Sequence, residues 1–436
     1  MRFIFLIILV IQCLNSYAQI WVPTPIANMP ESVSNNAVCE ARVNGVDYMY
    51  SFSGIDSTKV YSGIHLKSFK YNLNTDTWSS LPSLPDTLGK IAASASYVKG
   101  KIYIIGGYHV YSNGSEKSSY KTHRFDPSTD TYLSDGTDIP FPIDDQVQCV
   151  WRDSLIYVIT GWSNTGNVGH VQVYNPSQDT WQQASAVIGG AFQVFGANGI
   201  IKNDTIYYYG GANTSTNFPA TPILRIGVID SMNPTSINWL APKVNASNSL
   251  YRLCVLANPD NSISFLGGSK ISYNYNGISY ATNQGVPPAN EQITYNIVNQ
   301  NFTTNNSHAF PMDLRGYANV SDYTKLICGG MEAGQVVSKK AYRLDFNNAL
   351  NASNLKGLGA FKIYPNPARD ELRVSFLNKM KDVLTYSILD TKGAILLDGV
   401  LNKISNKISV EGFAEGTYYL QLSYGKSSSL KTFLIY

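Results

Sequence analysis

The chain has 436 residues and a formal net charge of +3 at neutral pH, and only 14% of its residues are charged. Because it contains no block of like charges, the sequence argues against recognition of nucleic acid through neutralised phosphates. Its polarity comes instead from Asn, Ser, Thr and 30 Tyr residues, a composition typical of β-strands and turns.

The first residues have the pattern of a secretory signal peptide. Arg2 precedes an apolar run over residues 3–11, and the segment ends with small residues at Ser16 and Ala18. The apolar run is too short to cross a bilayer core of about 30 Å as a helix. We therefore predict a signal peptide over residues 1–18, cleaved after Ala18. We predict no membrane span in the rest of the chain, because it has no run of about 18 apolar residues.

A short β-rich run that ends in glycine recurs along the chain at intervals of 50 to 62 residues. The six glycines are Gly54, Gly107, Gly161, Gly211, Gly268 and Gly330. A period near 50 indicates a repeat made of one four-stranded blade, and neighbouring blades must stack to bury both faces. In several repeats, two aromatic residues flank a polar turn, as in Tyr71 and Trp78. This pattern predicts a hairpin between the third and fourth strands.

These glycines, aromatic pairs and turns resemble the Kelch repeat from residue 20 to about residue 348. The resemblance implies a six-bladed β-propeller. The sixth repeat lacks a closing strand with Trp, whereas the N-terminal segment Ile20–Pro30 is similar to that strand in the other repeats. We predict that this segment pairs with the last repeat, because closure of the ring hides both edges of the sheet.

The last part of the chain has a different pattern, with about seven short strands over residues 361–436 that predict a small antiparallel β-sandwich. Several of its residues form an ordered motif: Tyr364, Pro365, Asn366, Pro367, Gly416, Tyr418 and Lys431. With this motif, the segment resembles the C-terminal sorting domain of the bacterial type IX secretion system. The resemblance implies a Bacteroidetes-type bacterium and a protein that passes through the periplasm. The type IX machinery would then deliver it to the cell surface or the medium.

Together these patterns predict an all-β chain with four parts. Residues 1–18 form the signal peptide and residues 19–348 the six-bladed Kelch-like propeller, closed by its N-terminal strand. Residues 349–360 form a linker, and residues 361–436 form the sorting domain.

The residue types that perform catalysis or bind metals form no recognisable motif in this sequence. None of the five His residues has the spacing of a metal site, and neither a nucleophile elbow nor a phosphate-binding loop occurs. The four Cys residues beyond the signal peptide lie in apolar runs, which favours buried small side chains over a metal site or a disulfide. We therefore expect no metal and no cofactor, and we assign no catalytic residue.

The geometry of a blade predicts where a ligand binds. The loops before the first strand and between the second and third strands open on one face of the ring. The ligand-binding candidates from these loops are Tyr108, Asp144, Asp145, Trp162, Asn213, Arg252, Arg315 and Glu332. Aromatic residues beside Arg, Asn and Asp suit a sugar, and the two Arg residues suit an acidic sugar because a guanidinium matches a carboxylate. The alternative, in which both Arg residues tie neighbouring blades together, stays open.

Three functions are compatible with this sequence. The first is a secreted or surface-displayed module that binds a carbohydrate or a protein partner. The second is a sugar enzyme of the sialic-acid mutarotase (N-acetylneuraminate epimerase) type, which the resemblance to exported six-bladed Kelch proteins implies. In that enzyme, Asp144 or Glu332 would exchange protons beside an arginine. The third is a structural component of the cell surface.

Overall fold

The computed structural model describes residues 20–306, 308–347, 361–376, 384–390, 394–401, 406–424 and 427–436. The predicted signal peptide and linker lie outside these residues. The chain divides into one unit over Ile20–Phe346 and a second unit that includes the C-terminal residues from Asn347. No helix in the described ranges is long and apolar enough to cross a membrane.

The first unit consists of six antiparallel blades, each with four main strands. Its first strand is β1 (Ile20–Ile26). Blade 1 contains β2 (Ala37–Val43), β3 (Val46–Ile55), β4 (Ile64–Asn72) and β5 (Thr77–Leu81). Blade 2 contains β6 (Ile91–Val98), β7 (Lys101–Val110), a short β8 (Glu116–Ser118), β9 (Thr122–Asp126) and β10 (Thr131–Tyr132). Blade 3 contains β11 (Val147–Trp151), β12 (Leu155–Ile159), the hairpin β13 (Trp162–Ser163) and β14 (Gly166–Asn167), β15 (Val171–Asn175) and β16 (Thr180–Gln183).

The remaining blades follow the same order. Blade 4 contains β17 (Phe195–Lys202), β18 (Thr205–Ala212), β19 (Ile223–Ile229), β20 (Ile237–Trp239) and a short β21 (Lys243–Val244). Blade 5 contains β22 (Cys254–Ala257), β23 (Ser262–Leu266), β24 (Gln292–Asn296) and β25 (Asn301–Asn305). Blade 6 contains β26 (Ala318–Ser321), β27 (Thr324–Cys328), the hairpin β28 (Met331–Glu332) and β29 (Val336–Val337), and β30 (Ala341–Asn347). Single turns of 3-10 helix lie at Tyr61–Gly63 and Ala333–Gln335.

The N-terminal strand closes the ring, which confirms the prediction from the sequence. Blade 6 has the strand order β1–β30–β27–β26, so β1 supplies its outermost strand. Trp21 on β1 is fully buried among side chains of blades 5 and 6, and its ring centroid lies 5.1 Å from that of Phe346. Its indole Nε1–H donates a hydrogen bond of 2.8 Å to Asn258 Oδ1 in blade 5. The two ends of the propeller chain are therefore joined in one blade.

The core of the propeller lies between the blades. Each of the six contacts between neighbouring blades contains its own apolar cluster. The second strand of blade 2 shows why, because successive side chains of a strand point to opposite faces. Ile102 and Ile104 of β7 pack toward blade 1, whereas Tyr103 and Ile105 pack toward blade 3. Strands buried on both faces thus read as continuous apolar runs in the sequence.

A double glycine ends the apolar second-strand run in four of the six blades, where the blade meets a neighbouring loop. Gly106 and Gly107 both have positive φ, at 68° and 84°. A Cβ atom on Gly106 would lie 2.4 Å from the Ile143 carbonyl oxygen of the loop that leads into blade 3. A side chain on Gly106 would clash with backbone, so blade 2 requires glycine there. Blades 1 and 3 have Ser53 and Thr160 at the equivalent position, both also with positive φ.

The second unit contains seven described strands in two sheets, as expected for a small β-sandwich. One sheet has the order β31 (Phe361–Tyr364), β32 (Glu371–Phe376) and β35 (Lys407–Ser409). The other has the order β34 (Ile395–Leu401), β33 (Leu384–Leu389), β36 (Gly416–Tyr424) and β37 (Ser427–Ile435). A single apolar cluster joins the two sheets.

The residues of the sorting motif connect the first turn of this unit to its last strand. Asn366 Oδ1 accepts a hydrogen bond of 2.9 Å from the backbone N–H of Leu434 on β37. Tyr418 packs on Phe433 of the same strand, with ring centroids 5.9 Å apart. The Lys431 ammonium lies 5.3 Å from the ring centroid of Phe361. Motif residues that are distant in sequence therefore connect β37 to β31, to the turn after β31 and to β36.

Candidate functional site

In each blade, a residue in the left-handed conformation lies at the start of the innermost strand or within five residues before it. We call these six residues the axial ring: Asn35, Ala92, Asp145, Gly196, Arg252 and Asp313. Backbone hydrogen bonds connect four consecutive members. The Asp145 N–H donates to the Ala92 carbonyl at 3.2 Å, the Gly196 N–H donates to the Asp145 carbonyl at 2.8 Å, and the Arg252 N–H donates to the Gly196 carbonyl at 2.7 Å. Left-handed backbone is strained for residues other than glycine, and these blade-to-blade bonds help to hold it.

Side chains of the axial ring form a buried ionic network. Arg252 contacts Asp145 through Nη2 at 2.7 Å and Nε at 3.2 Å, and it contacts Asp313 through Nη1 at 3.4 Å. Arg315 Nη1 donates at 2.9 Å to Asp145 Oδ1, the oxygen that Arg252 Nε also contacts. None of these four side chains is more than 3% exposed. The network joins blades 3, 5 and 6 at the centre of the ring.

Further hydrogen bonds satisfy the Asp313 carboxylate. It accepts a bond of 2.9 Å from Ser34 Oγ and one of 3.1 Å from Tyr273 Oη. Desolvation raises the pKa of Asp313, and the positive charge of Arg252 opposes that rise. A buried charge costs little only when it is paired and fully hydrogen-bonded, and this carboxylate meets both conditions.

A pocket of about 200 Å³ lies against this network. It is lined by Tyr108, Glu116, Asp144, Asp145, Trp162, Phe195, Phe218, Arg252 and Tyr280. We call it the loop-face pocket. Its lining comes from blades 2 to 5. Tyr108 lies near the end of the second strand of blade 2, and the other residues lie at or just before the start of an innermost strand, or between a second and a third strand. This is the placement that the blade geometry predicts.

Aromatic rings form one continuous wall of the loop-face pocket. The Trp162 ring meets Phe195 and Phe218 edge to face at centroid distances of 5.4 and 5.7 Å. Phe218 meets Tyr280 in the same way at 5.2 Å. Edge-to-face packing stabilises such clusters and holds each ring in a defined orientation. The wall therefore offers a preformed apolar surface.

Carboxyl groups supply the polar part of the lining. Asp144 is 4% exposed, and its carboxylate accepts a hydrogen bond from Ser118 Oγ. Desolvation, followed by the negative charge of Asp145, raises the pKa of Asp144 well above its ordinary value. Glu116 is exposed at the rim, and partial desolvation raises its pKa as well. A raised pKa favours the protonated form of a carboxyl group, which can donate a hydrogen bond to a ligand.

Comparison with known proteins agrees with this architecture. Residues 92–133, which span blade 2, match the Kelch motif family, and residues 362–436 match the secretion system C-terminal sorting domain family. The chain is a Kelch-type propeller with a type IX sorting domain. The sorting domain indicates export to the cell surface or the extracellular space.

Two individual proteins are similar to this Kelch propeller. Kelch-like protein terF of Aspergillus terreus (strain NIH 2624 / FGSC A1156) is 26% identical over 239 residues, which cover 49% of this chain and 50% of terF. The chain thus spans about half the length of this curated relative. The solved structure of YjhT matches with a TM-score of 0.57 and 16% identity, over 72% of this chain and 95% of YjhT. This likeness shows the propeller fold.

The structure brings five of the eight candidate residues of the Kelch propeller into the loop-face pocket. These are Tyr108, Asp144, Asp145, Trp162 and Arg252. Arg315 lies behind Asp145 and lines a separate cavity of about 280 Å³ between the innermost strands. Both arginines make the contacts expected if they tie blades together, because each guanidinium binds the carboxylate of Asp145 from another blade.

Two candidate residues lie elsewhere. Asn213 belongs to a turn in which its Oδ1 accepts a hydrogen bond of 2.9 Å from the Ser215 N–H. Glu332 binds the Lys340 ammonium at 2.9 Å and lines a different cavity of about 430 Å³ in blades 5 and 6. Neither residue lines the loop-face pocket, so Glu332 lies apart from Asp144 and Arg252.

Sequence reasoning missed several residues of this region. Four members of the axial ring were not among the candidates: Asn35, Ala92, Gly196 and Asp313. They had a usable signal, because each precedes the glycine that ends its β-rich run by 15 to 19 residues. Glu116, Phe218 and Tyr280 had none, because they lie in loops of unequal length between second and third strands.

Proposed function

We propose that the Kelch propeller acts after export as a carbohydrate-binding module, with its ligand in the loop-face pocket. The observation that carries this proposal is the aromatic wall around Trp162 beside the carboxyl groups of Asp144 and Glu116. The C–H faces of a sugar pack on aromatic rings, while its hydroxyl groups form directional hydrogen bonds. A volume of about 200 Å³ suits a single sugar ring.

The same pocket supports a sugar better than a protein partner as the ligand. A stable interface between proteins buries about 800 Å² on each partner. The loop-face pocket is concave and small, and its polar groups lie inside it and at its rim. This shape fits one small unit, such as the end of a glycan chain.

We further propose that a Bacteroidetes-type bacterium exports the protein in two steps. The signal peptide predicted over residues 1–18 would open the route to the periplasm, and the C-terminal domain would direct passage across the outer membrane. The match of residues 362–436 to the sorting domain family supports the second step.

Replacement of the central ring of the aromatic wall tests carbohydrate binding. A glycan array with the mature protein should identify a ligand, and titration calorimetry should then measure its affinity. We expect Trp162→Ala to weaken binding at least about tenfold, because it removes the apolar surface on which the sugar packs.

The matched control is Trp181→Ala, which changes an outer strand of blade 3. Trp181 is half-buried, and its Nε1–H donates to the Thr137 carbonyl at 2.8 Å, away from the pocket. The Trp181→Ala protein should bind the glycan with the same affinity as the unchanged protein. Two results would count against carbohydrate binding in this pocket. One is that no neutral, basic or acidic glycan binds, and the other is that both variants lose the same affinity.

A sugar mutarotase is the second candidate function, and the two carboxyl groups with raised pKa favour it. Ring opening requires a base that takes the proton of the anomeric hydroxyl. It also requires an acid that protonates the ring oxygen as the bond from that oxygen to the anomeric carbon breaks. In this reading, protonated Asp144 is the acid and ionised Glu116 is the base. Reversal of both transfers after rotation gives the other anomer.

Exchange between anomers, followed by NMR, tests this activity. A mutarotase should accelerate the exchange for hexoses or for N-acetylneuraminate, and Asp144→Asn should reduce the acceleration at least about a hundredfold because proton donation is lost. Glu332→Gln, in the separate cavity, is the control and should retain the activity. If a sugar bound but its anomers exchanged no faster with the protein than without it, the protein would be a binding module and not a mutarotase.

A further inference from the structure

The loop-face pocket and the network behind it contain more carboxyl groups than basic groups. In the described residues, Glu116, Asp144, Asp145 and Asp313 contribute four carboxyl groups, and Arg252 and Arg315 contribute two guanidinium groups. Asp145 and Asp313 are paired with these arginines. Within the same part of the chain, neither Glu116 nor Asp144 forms an ion pair. A ligand therefore meets two carboxyl groups that no basic side chain neutralises.

Among the described residues, one basic side chain lines the pocket, that of Arg252, and its polar side is already bound. Arg252 holds Asp145 through two nitrogens and approaches Asp313 with the third, and its guanidinium lies over the rings of Tyr251 and Tyr273 at 5.1 and 5.5 Å. An acidic ligand would have to displace one of these buried partners. Leaving such a charge unpaired is strongly destabilising. The pocket is therefore unsuited to a carboxylate or a phosphate.

The aromatic wall is suited to a positive charge. The face of an aromatic ring attracts an ammonium group that lies within about 6 Å of its centroid, and the attraction is greater when water is excluded. Trp162, Phe218 and Tyr280 supply such rings beside the Asp144 carboxyl group. Ring faces and a carboxylate on neighbouring walls together recognise organic ammonium groups.

We infer that the ligand of the loop-face pocket carries a positively charged amino group, and that its class is sugars with an unsubstituted amine. This inference rests on the proposed carbohydrate-binding function and names the chemistry of its ligand. The ammonium group lies between the Asp144 carboxylate and the aromatic wall, with Glu116 at the rim. The sugar ring packs on the remaining aromatic surface.

Binding of such a ligand releases protons. In the empty pocket the pKa of Asp144 is raised by desolvation and then by Asp145 and Glu116, while Ser118 and Arg252 lower it. A bound ammonium group favours the ionised carboxylate and so lowers this pKa. Affinity therefore rises as the pH rises through the pKa of the empty pocket. It falls again at the higher pH where the amine itself loses its proton.

Calorimetric titration of the mature protein with four matched probes tests the inference. The probes are glucosamine, N-acetylglucosamine, glucose and glucuronate, which share a ring but differ in charge. Glucosamine should bind at least about tenfold more tightly than the other three, because a hydrogen bond between charged groups is stronger than a neutral one. Its binding should release protons, seen as a heat that depends on the ionisation enthalpy of the buffer.

Two pocket variants, one control variant and a quaternary ammonium ion separate the possible outcomes. Asp144→Asn, and independently Glu116→Gln at the exposed rim, should reduce the preference for glucosamine, whereas Glu332→Gln should leave it unchanged. Equal binding of glucose and glucosamine would overturn the inference and leave carbohydrate binding intact. If tetramethylammonium bound and no sugar did, the result would support a cation-binding pocket but contradict carbohydrate binding. Failure of every probe and of the glycan array would overturn both.

Discussion

Asp145→Ala should lower the free energy of unfolding of the propeller by about 3–5 kcal/mol, a loss typical of removing one partner from a buried ion pair. Asp145 is the only carboxylate in the described residues that binds both Arg252 and Arg315. Its removal leaves two guanidinium groups at the centre of the ring with Asp313 as their remaining carboxylate, in contact with Arg252 alone. Unpaired buried charge, rather than lost packing, is the main cause of the expected effect.

Chemical denaturation of the mature protein, followed by tryptophan fluorescence, measures this loss. The matched control is Asp47→Ala, which removes an ion pair at the surface. Asp47 Oδ1 lies 3.8 Å from Arg42 Nε, and the Arg42 side chain is 65% exposed. An exposed pair contributes about 0.2–1 kcal/mol, so the control should change the unfolding free energy by less than about 1 kcal/mol. Equal effects of the two substitutions would show that the central network does not hold the ring together.

Trp21→Ala should cost about 3–5 kcal/mol of unfolding free energy, the range for truncation of a large buried side chain. Trp21 is fully buried, packs on Phe346 and donates a hydrogen bond to Asn258. Its loss leaves a cavity between blades 5 and 6. The side-chain oxygen Oδ1 of Asn258 also loses its hydrogen bond from the indole. The closing blade should therefore separate first on heating.

Hydrogen exchange measured by mass spectrometry locates this effect. In the Trp21→Ala protein, protection should fall first in β1 and β30, which are neighbours in blade 6. Trp181→Ala removes a half-buried Trp from an outer strand and should cost less, without faster exchange in blade 6. If Trp21→Ala left exchange in β30 unchanged, closure of the ring by the N-terminal strand would be wrong.

The architecture could be predicted from the sequence because it depends on local patterns. Double glycines such as Gly106 and Gly107 recur because their backbone takes positive φ and passes close to a neighbouring loop. The closing strand could be predicted because Trp21 follows the pattern of the other outer strands. Both features are visible in the order of residues alone.

The contents of the pocket could not be predicted in the same way. The chemistry of Arg252 and Arg315 suits an acidic ligand, but both side chains bind Asp145, which is 107 and 170 residues away in sequence. Only the closed ring brings these residues together. Phe218 and Tyr280 likewise enter the pocket because their blades stack, and no spacing in the sequence marks them.

The central claim is that the loop-face pocket is the ligand site of this exported propeller. A crystal structure of the mature protein soaked with its preferred sugar tests that claim most directly. We predict density for one sugar ring on the Trp162 wall, with a polar group within hydrogen-bond distance of Asp144. Density for the sugar in the cavity beside Glu332, or in the cavity behind Arg315, would contradict it.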